Sequence, residues 1–421
     1  MEIAIIGAGW YGCHLALALA KAGHKVTLID KNKAIFQGIS GQFGIRLHCG
    51  SHYPRSPETR ESCRRGFEAF MATYPDLVVD HEYSIYAVGT TDSMGKASHV
   101  SASEFKSVCD EFQKDTAISP DELDFANILS AHNIKEPSLL IGEPLREYFQ
   151  NALKEAGVTL QLDTEIKAIQ PGDRGAALHM NGEMRSFDKV INASSFQSFQ
   201  PQDELPFPFE IAYQPCLGLI YEDSDPGQKP ISVIMMDGLF PCLMPLVDSK
   251  PFNHRYLVTH GQYTIMESCS TTDEAYRILN QIDNDYIQTQ IKPRCEAEMN
   301  RFWPDFAERF QFKSWQGNVL AKFKTKTEFR SAVTFEKDHV ISIVPGKVSN
   351  IFDVEHDTLA LLNNANIQTH NGFRYPADGV LAHGLSEILT KPSDRRATTN
   401  LHTFQEIKPM PAPVSNPPSF S

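Results

Sequence analysis

Gly7, Gly9 and Gly12 stand at GxGxxG spacing between a short β-branched run, residues 2–6 (EIAII), and an Ala/Leu-rich stretch at 13–22. Each glycine answers a different need of dinucleotide binding. The first permits a tight turn, the second lets the backbone approach a pyrophosphate, and the third lets helix pack on strand. The following helix N-terminus offers free N–H groups and partial positive charge to phosphates. Asp30 ends the next apolar run, 24–30 (HKVTLID), 18 residues after Gly12, where a carboxylate can accept bonds from ribose hydroxyls. The fingerprint points to a dinucleotide and by itself leaves NAD and FAD both open.

A second group of reactive side chains follows in the run 38–56, GISGQFGIRLHCGSHYPRS. His48 and His52 sit in a glycine-rich loop, where an imidazole can bond a ligand or anchor the loop. Arg46 and Arg55 flank that loop, and Arg330 stands in TEFRSAV much later. A planar guanidinium suits bidentate recognition of a carboxylate better than an ammonium does. Arg64 and Arg65 lie mid-helix within pairing distance of Glu61 and Glu68 and read as solvated charges. Cys49 reads as a buried thiol. No P-loop, GxSxG elbow, HExxH or EF-hand loop occurs, and no Cys/His spacing suits zinc, so no metal is expected.

The elements that must carry these residues begin with a βαβ unit at 2–30. A helix is expected at 59–73, a strand at 83–88, a helix at 101–114, an amphipathic helix at 139–156 and strands at 158–162, 164–169 and 189–192. From about 205 to 330 the texture turns β-rich, interrupted by a helical stretch at 272–291, and a short buried strand returns at 340–344. The chain of 421 residues is too long for one ordinary core and implies two lobes. Its 41% hydrophobic and 22% charged residues are those of a globular protein. A net charge of −13 repels phosphate backbones and argues against nucleic-acid binding. No run approaches the ~20 apolar residues of a transmembrane helix, and no basic leader precedes the first strand. Eight scattered cysteines without CxxC spacing suit reduced thiols and a cytoplasmic location.

The loop at 38–56 resembles the segment lying against the flavin in the D-amino-acid oxidase (DAO) superfamily of FAD-dependent oxidoreductases. Its glycine oxidase and L-2-hydroxyglutarate dehydrogenase branches carry a glycine–histidine–glycine–tyrosine pattern there. Gly44, His48, Gly50 and Tyr53 occupy those places, with Arg46 as a polar departure. VINAS at 190–194 is similar to the strand end that passes close to the cofactor, although Ser195 replaces the usual glycine. IVPGKVSNIFD at 343–353 resembles the closing glycine loop, and the strand around Ile166 matches the position whose backbone meets adenine. Similar sequences also occur among flavoproteins encoded with surface-polysaccharide genes. The likeness covers most of 1–360, densely only over the first 60 residues.

The resemblance implies FAD as cofactor and an α/β fold, with a discontinuous Rossmann-like FAD-binding domain and a β-rich α+β substrate domain. The expected FAD-binding domain comprises 1–82, 140–204 and 325–405. The substrate domain comprises 83–139 and 205–324, and 406–421 forms a Pro-rich disordered tail. The implied cofactor site is Gly7, Gly9, Trp10, Tyr11, Gly12, Asp30, Lys31, Gly38, Ser40, Gly44, Ile166, Ala193, Ser194, Gly346, Lys347, Ser349 and Asn350. His48, Tyr53 and Arg330 are expected at the reaction, with Arg46 and Arg55 on a small, anionic substrate. The expected reaction passes a hydride from a carbon bearing an amine or hydroxyl to flavin N5. Two alternatives stand beside it: an NAD-linked dehydrogenase, and a flavin-binding protein without turnover in a glycan pathway. The electron acceptor is left open.

Overall fold

Glu2–Ile6 is a strand whose Ile3, Ala4 and Ile5 are completely buried, as befits a central strand covered on both faces. It is the middle of an eight-stranded sheet in the computed structural model, which describes residues 1–112, 115–118, 124–201 and 205–390. The expected tail at 406–421 lies outside the described residues. Glu2–Ile6 pairs in parallel with Lys25–Ile29 on one side and with Lys189–Asn192 on the other. Thr159–Gln161 extends the parallel array beyond the first neighbour, and Val340–Val344 beyond the second. Val333–Lys337, Phe373–Pro376 and Ile367–His370 finish that edge in antiparallel pairing.

Neighbours in this sheet are therefore drawn from the start, middle and end of the chain. A three-stranded meander, Ile166–Gly172, Gly175–Met180 and Glu183–Phe187, packs its buried residues with Ala4, Ile6 and Ile29. A second eight-stranded sheet runs from Phe310–Phe323 through Ile211–Asp223, Arg255–His260, Pro241–Pro245 and Ile231–Met236 to Tyr83–Gly89, Ile128–Ile134 and Asp115–Ile118. Two sheets, one largely parallel with helices and one β-rich, give the α/β architecture with a second α+β lobe.

Local signals explain most element ends. Trp10–Lys21 is built from Ala and Leu, strong helix formers, and Gly23 at φ +85 ends it. The helix expected from Thr59 starts two residues earlier, at Pro57. Ser56 caps it by accepting from Thr59 N–H at 3.3 Å, and Pro57 supplies a pre-set φ at its first turn. The helical stretch expected to stop at 291 continues past Pro293. A π turn at Ile287–Ile291 interrupts the ladder, and Lys292–Phe302 begins afresh with proline in its first turn, where no N–H is needed. Ser195 takes the place of a glycine at φ +57, with Phe196 following at φ +54, so the turn after Lys189–Asn192 is left-handed at two side-chain-bearing residues.

The helix Pro57–Thr73 crosses the turn Val348–Asn350 at Gly66, so closely that a Cβ there would lie 2.2 Å from Ser349 O. Alanine in a helix interior normally gains about 1 kcal/mol over glycine. Here the overlap with backbone should reverse the sign: Gly66→Ala is expected to lose roughly 1–3 kcal/mol, read as a lower urea midpoint at unchanged slope.

Candidate active site

The strand ends of the parallel sheet converge where the glycine fingerprint turns into the first helix. Gly7 has φ +102, and a Cβ on it would meet Ala193 O at 2.6 Å. A Cβ on Gly12 would lie 1.8 Å from Gly7 O, so only glycine lets this helix start so close to its strand. Gly9 is the N-cap and no side chain caps the helix, which leaves the first-turn N–H groups to another acceptor. Ser40 Oγ stands 2.7 Å from where a Gly9 Cβ would be, on the wall of the same cradle. Asp30 accepts from Ala8 N–H at 2.7 Å and from Asn32 N–H at 2.8 Å and Nδ2 at 2.9 Å. A carboxylate has about four acceptor sites, so it retains one for a hydroxyl. A glycine cradle, an uncapped helix N-terminus and a carboxylate at the next strand end fit a pyrophosphate and its ribose.

The other expected cofactor residues divide by what their side chains already do. Tyr11 hydroxyl donates to Lys347 O at 2.7 Å and accepts from Gly346 N–H at 3.1 Å, tying the first helix to the last loop. Ser194 bonds Asn192 Oδ1 at 2.6 Å, and Ala193 N–H donates to Ile6 O. Ile166 opens the meander and packs on the sheet, Gly44 lies against Pro245 O, and Gly38 faces open space. Lys31 is exposed. Trp10, by contrast, is a core residue: its ring packs between Phe70 and Phe149, with both centroids 5.2 Å away. Ser349 and Asn350 are fully buried inside their own loop. Asn350 accepts from Ala332 N–H and Lys347 N–H and donates to Ser62 Oγ, so both residues shape the loop and have no free side-chain surface for a ligand.

Beyond this cradle lies a dense polar cluster. His48 is buried, and its ring stacks on His52 with centroids 4.4 Å apart. Tyr53 stands edge-on to both rings, and its buried hydroxyl has no hydrogen-bond partner among the described residues. Lys347 Nζ lies 5.3 Å from the Tyr53 ring centroid, which brings the last loop over the histidine loop. At the centre is Glu136, 1% exposed, in the short connection between Ile128–Ile134 and Ser138–Leu139. Its Oε1 accepts from Cys49 N–H at 2.7 Å, and its Oε2 accepts from the Tyr86 hydroxyl and from His48 Nδ1 at 3.1 Å. Arg46 lies against the Tyr86 ring, 5.2 Å from the centroid. It is 4% exposed, and among the described residues none of its three guanidinium nitrogens makes a well-formed hydrogen bond, although the Tyr86 hydroxyl lies close enough to act on its charge.

Burial and charge set the protonation of this cluster. Burial pushes the His48 imidazole down to about 4, against the pull of Glu136. His52 is pushed down by burial and by its cationic neighbours. Burial also lowers the Lys347 ammonium to about 8, and Arg46 pushes in the same direction. Burial would raise the Glu136 carboxyl, but His48, Arg46 and the Tyr86 hydroxyl outweigh it and hold the group at about 2. Glu136 is therefore charged at neutral pH, with Arg46 as its permanent counter-charge, while burial favours the neutral form of His48.

The three expected arginines part company here. Arg46 joins the cluster. Arg330 is partly buried and its charge is felt at Tyr11 and His52. Arg55 is spent elsewhere: its fork bonds both oxygens of Asp237, and Nη1 donates to Lys326 O at 3.0 Å. Glu136 and Tyr86 were not singled out from the sequence. A lone acid in a short connection normally faces water, and one tyrosine in a strand of mixed apolar residues gives no sign of its hydroxyl's partner.

Residues 2–329 match the family described as FAD dependent oxidoreductase, DAO. The chain is 44% identical to the FAD-dependent monooxygenase kojA of Aspergillus flavus, over 97% of this chain and 98% of that protein. It is 28% identical to the FAD-dependent monooxygenase FPY4 of Fusarium mangiferae, over 86% and 91% respectively. Among solved structures, glycine oxidase from Geobacillus kaustophilus shares the fold at TM-score 0.65 and 13% identity, over 87% of this chain and 95% of that one.

The depressed imidazole makes stability fall in mild acid. The unfolded chain protonates its histidines below about pH 6.5 and the fold holds His48 neutral down to about 4, so the unfolded state binds more protons in that window. Stability should drop by about 2 kcal/mol for His48 alone between pH 6.5 and 5. His52 acts in the same direction, whereas the contribution of Glu136 is present above pH 4.5 and lost only as pH falls towards 2. Urea midpoints at the two pH values should differ less in His48→Gln than in the unaltered protein.

Proposed function

The chain belongs to the DAO family of FAD-dependent oxidoreductases, and on that premise we propose that it oxidises a small anionic substrate at a carbon bearing a hydroxyl. The reading is carried by Arg46, a buried guanidinium whose donors make no well-formed hydrogen bond among the described residues, close to the Tyr86 ring and to His48. A buried charge with unfilled donors is costly unless a ligand completes it. A substrate carboxylate or phosphate would do so, with Arg330 and Lys347 adding positive charge to the same cluster. In this reading the described parts of 1–82, 140–204 and 325–405 hold the cofactor, and those of 83–139 and 205–324 roof the substrate, with 391–405 lying outside the described residues.

When bound, FAD supplies the two-electron acceptor for the hydride. The protein residues do the rest. Arg46 and Arg330 hold the anionic group and thereby aim one C–H bond. Tyr53, the stacked histidines and Tyr86 exclude water. His48 takes the hydroxyl proton as that C–H bond breaks and the C–O bond becomes a carbonyl. A neutral amine would need no such base, so a base at this place favours the hydroxyl over an amine that binds unprotonated. The name of the 44% identical relative favours a second reading, insertion of oxygen into the substrate. Product formed under labelled dioxygen would carry the label in that reading and lack it in the first. No described helix is long and apolar enough to cross a membrane. In this reading the scattered cysteines, which form no disulfide among the described residues, suit a reducing, cytoplasmic setting.

Two outcomes test these assignments. Gly9→Val should yield folded protein without the yellow flavin absorbance, since the side chain would strike Ser40 and fill the phosphate approach. Full retention of FAD would show the cradle to be misassigned. Arg46→Lys keeps the charge beside Glu136 but loses the planar fork. Across a panel of small hydroxy acids, phosphorylated alcohols and amino acids, anaerobic flavin bleaching should identify a substrate. Its half-saturating concentration should then rise about 10- to 100-fold in the variant. Arg330→Ala should slow bleaching while leaving FAD content intact, and unchanged behaviour in both variants would remove the anionic substrate.

A further inference from the structure

We propose that Glu136 is a positioning residue that fixes His48 in the tautomer with its proton on Nδ1 and its lone pair on Nε2. The argument starts from donors and acceptors. An ionised carboxylate only accepts. Glu136 Oε1 is occupied by Cys49 N–H, and Oε2 receives the Tyr86 hydroxyl. The atom facing Oε2 at 3.1 Å is His48 Nδ1, and the Tyr86 oxygen lies 3.3 Å from the same nitrogen. Tyr86 directs its one hydroxyl hydrogen at the carboxylate, so both oxygens near Nδ1 present lone pairs to it. Nδ1 must carry the hydrogen. In a neutral ring Nε2 is then the base.

The arrangement is stiff as well as polarised. The His48 ring stacks on His52 and meets Tyr53 edge-on, so it cannot turn over without breaking both contacts. Cys49 N–H is the backbone amide next to His48, and its bond to Oε1 anchors the loop to the same carboxylate that orders the ring. His48 Nε2 has no protein partner among the described residues.

The catalytic consequence rests on the reading of His48 as the proton acceptor, whereas the tautomer itself does not. Glu136→Gln preserves shape and the acceptor for Cys49 N–H, but its amide can donate to Nδ1 and so move the ring proton to Nε2. Long-range proton–nitrogen correlation on histidine-labelled FAD-loaded protein reads the tautomer directly, with His48→Gln identifying the signal. The expected result is an Nδ1–H ring in the unaltered protein and an Nε2–H ring in Glu136→Gln. Anaerobic flavin reduction by the substrate should fall at least 100-fold, with FAD content retained and the half-saturating concentration within threefold. An Nε2–H ring in the unaltered protein, or no change in Glu136→Gln, would overturn the proposal. A switched tautomer with an undiminished reduction rate would instead overturn the base role of His48, leaving Glu136 as an orienting group only. Should Glu136→Gln fail to fold, Tyr86→Phe removes one donor to the carboxylate and leaves the charge; it should keep the Nδ1–H tautomer, and an Nε2–H ring there would count against Glu136 as its determinant.

Discussion

A carboxylate cut off from water, that of Glu136, must have its charge and all its lone pairs answered by protein. Taking such an ion into the interior costs several kcal/mol unless partners surround it. The partners found here come from separate places: Cys49 N–H and His48 from the glycine loop, Tyr86 from a strand of the second sheet, and Arg46 from the short strand Ile45–Arg46. Satisfying one group therefore fixes the relation of the histidine loop to the roof above it. The same demand explains why Arg46 tolerates burial, since it stands within electrostatic reach of the only buried anion in the cluster.

The second constraint is distance along the chain. Tyr11 reaches the loop at Gly346 and Lys347, and Gly66 lies against Ser349. Ser62 and Asn350 complete the contact. The cofactor cradle and the loop over it are thus separate segments held by a few direct bonds, with backbone packed too closely for a Cβ. Such joints cannot be adjusted locally. A change at Gly66 or Tyr11 shifts Lys347, and with it the positive charge above Tyr53 and the histidines.

The two lobes meet the site differently. The parallel sheet brings its strand ends and a helix N-terminus, features that act through backbone groups and suit a cofactor shared by many chemistries. The second sheet brings side chains, Tyr86 among them, to the polar cluster around Glu136. Arg55 illustrates how a side chain near the site is withdrawn from it: Asp237, from the turn after Ile231–Met236, takes both ends of its fork.

What could be read from the chain alone was whatever depends on near neighbours. GxGxxG, the run of good helix formers after it and Asp30 at the next strand end lie within 30 residues, so spacing alone specified the cradle. The loop around His48 and the closing PGKVSN were legible by resemblance, and the β texture of 205–330 by composition. Spacing could not show that Trp10 points into an aromatic core, that Ser349 and Asn350 spend their side chains on Cys63 and Ser62 of the facing helix, or that Arg55 is neutralised from 182 residues away. Nor could it reveal Glu136, 88 residues from His48 in sequence and in direct hydrogen bond with it in space. Local pattern sets which backbone turns can form, because sterics and propensity act over a few residues. Protonation, tautomer and unfilled donors depend on burial and on partners brought together across the chain, and only the folded protein decides those.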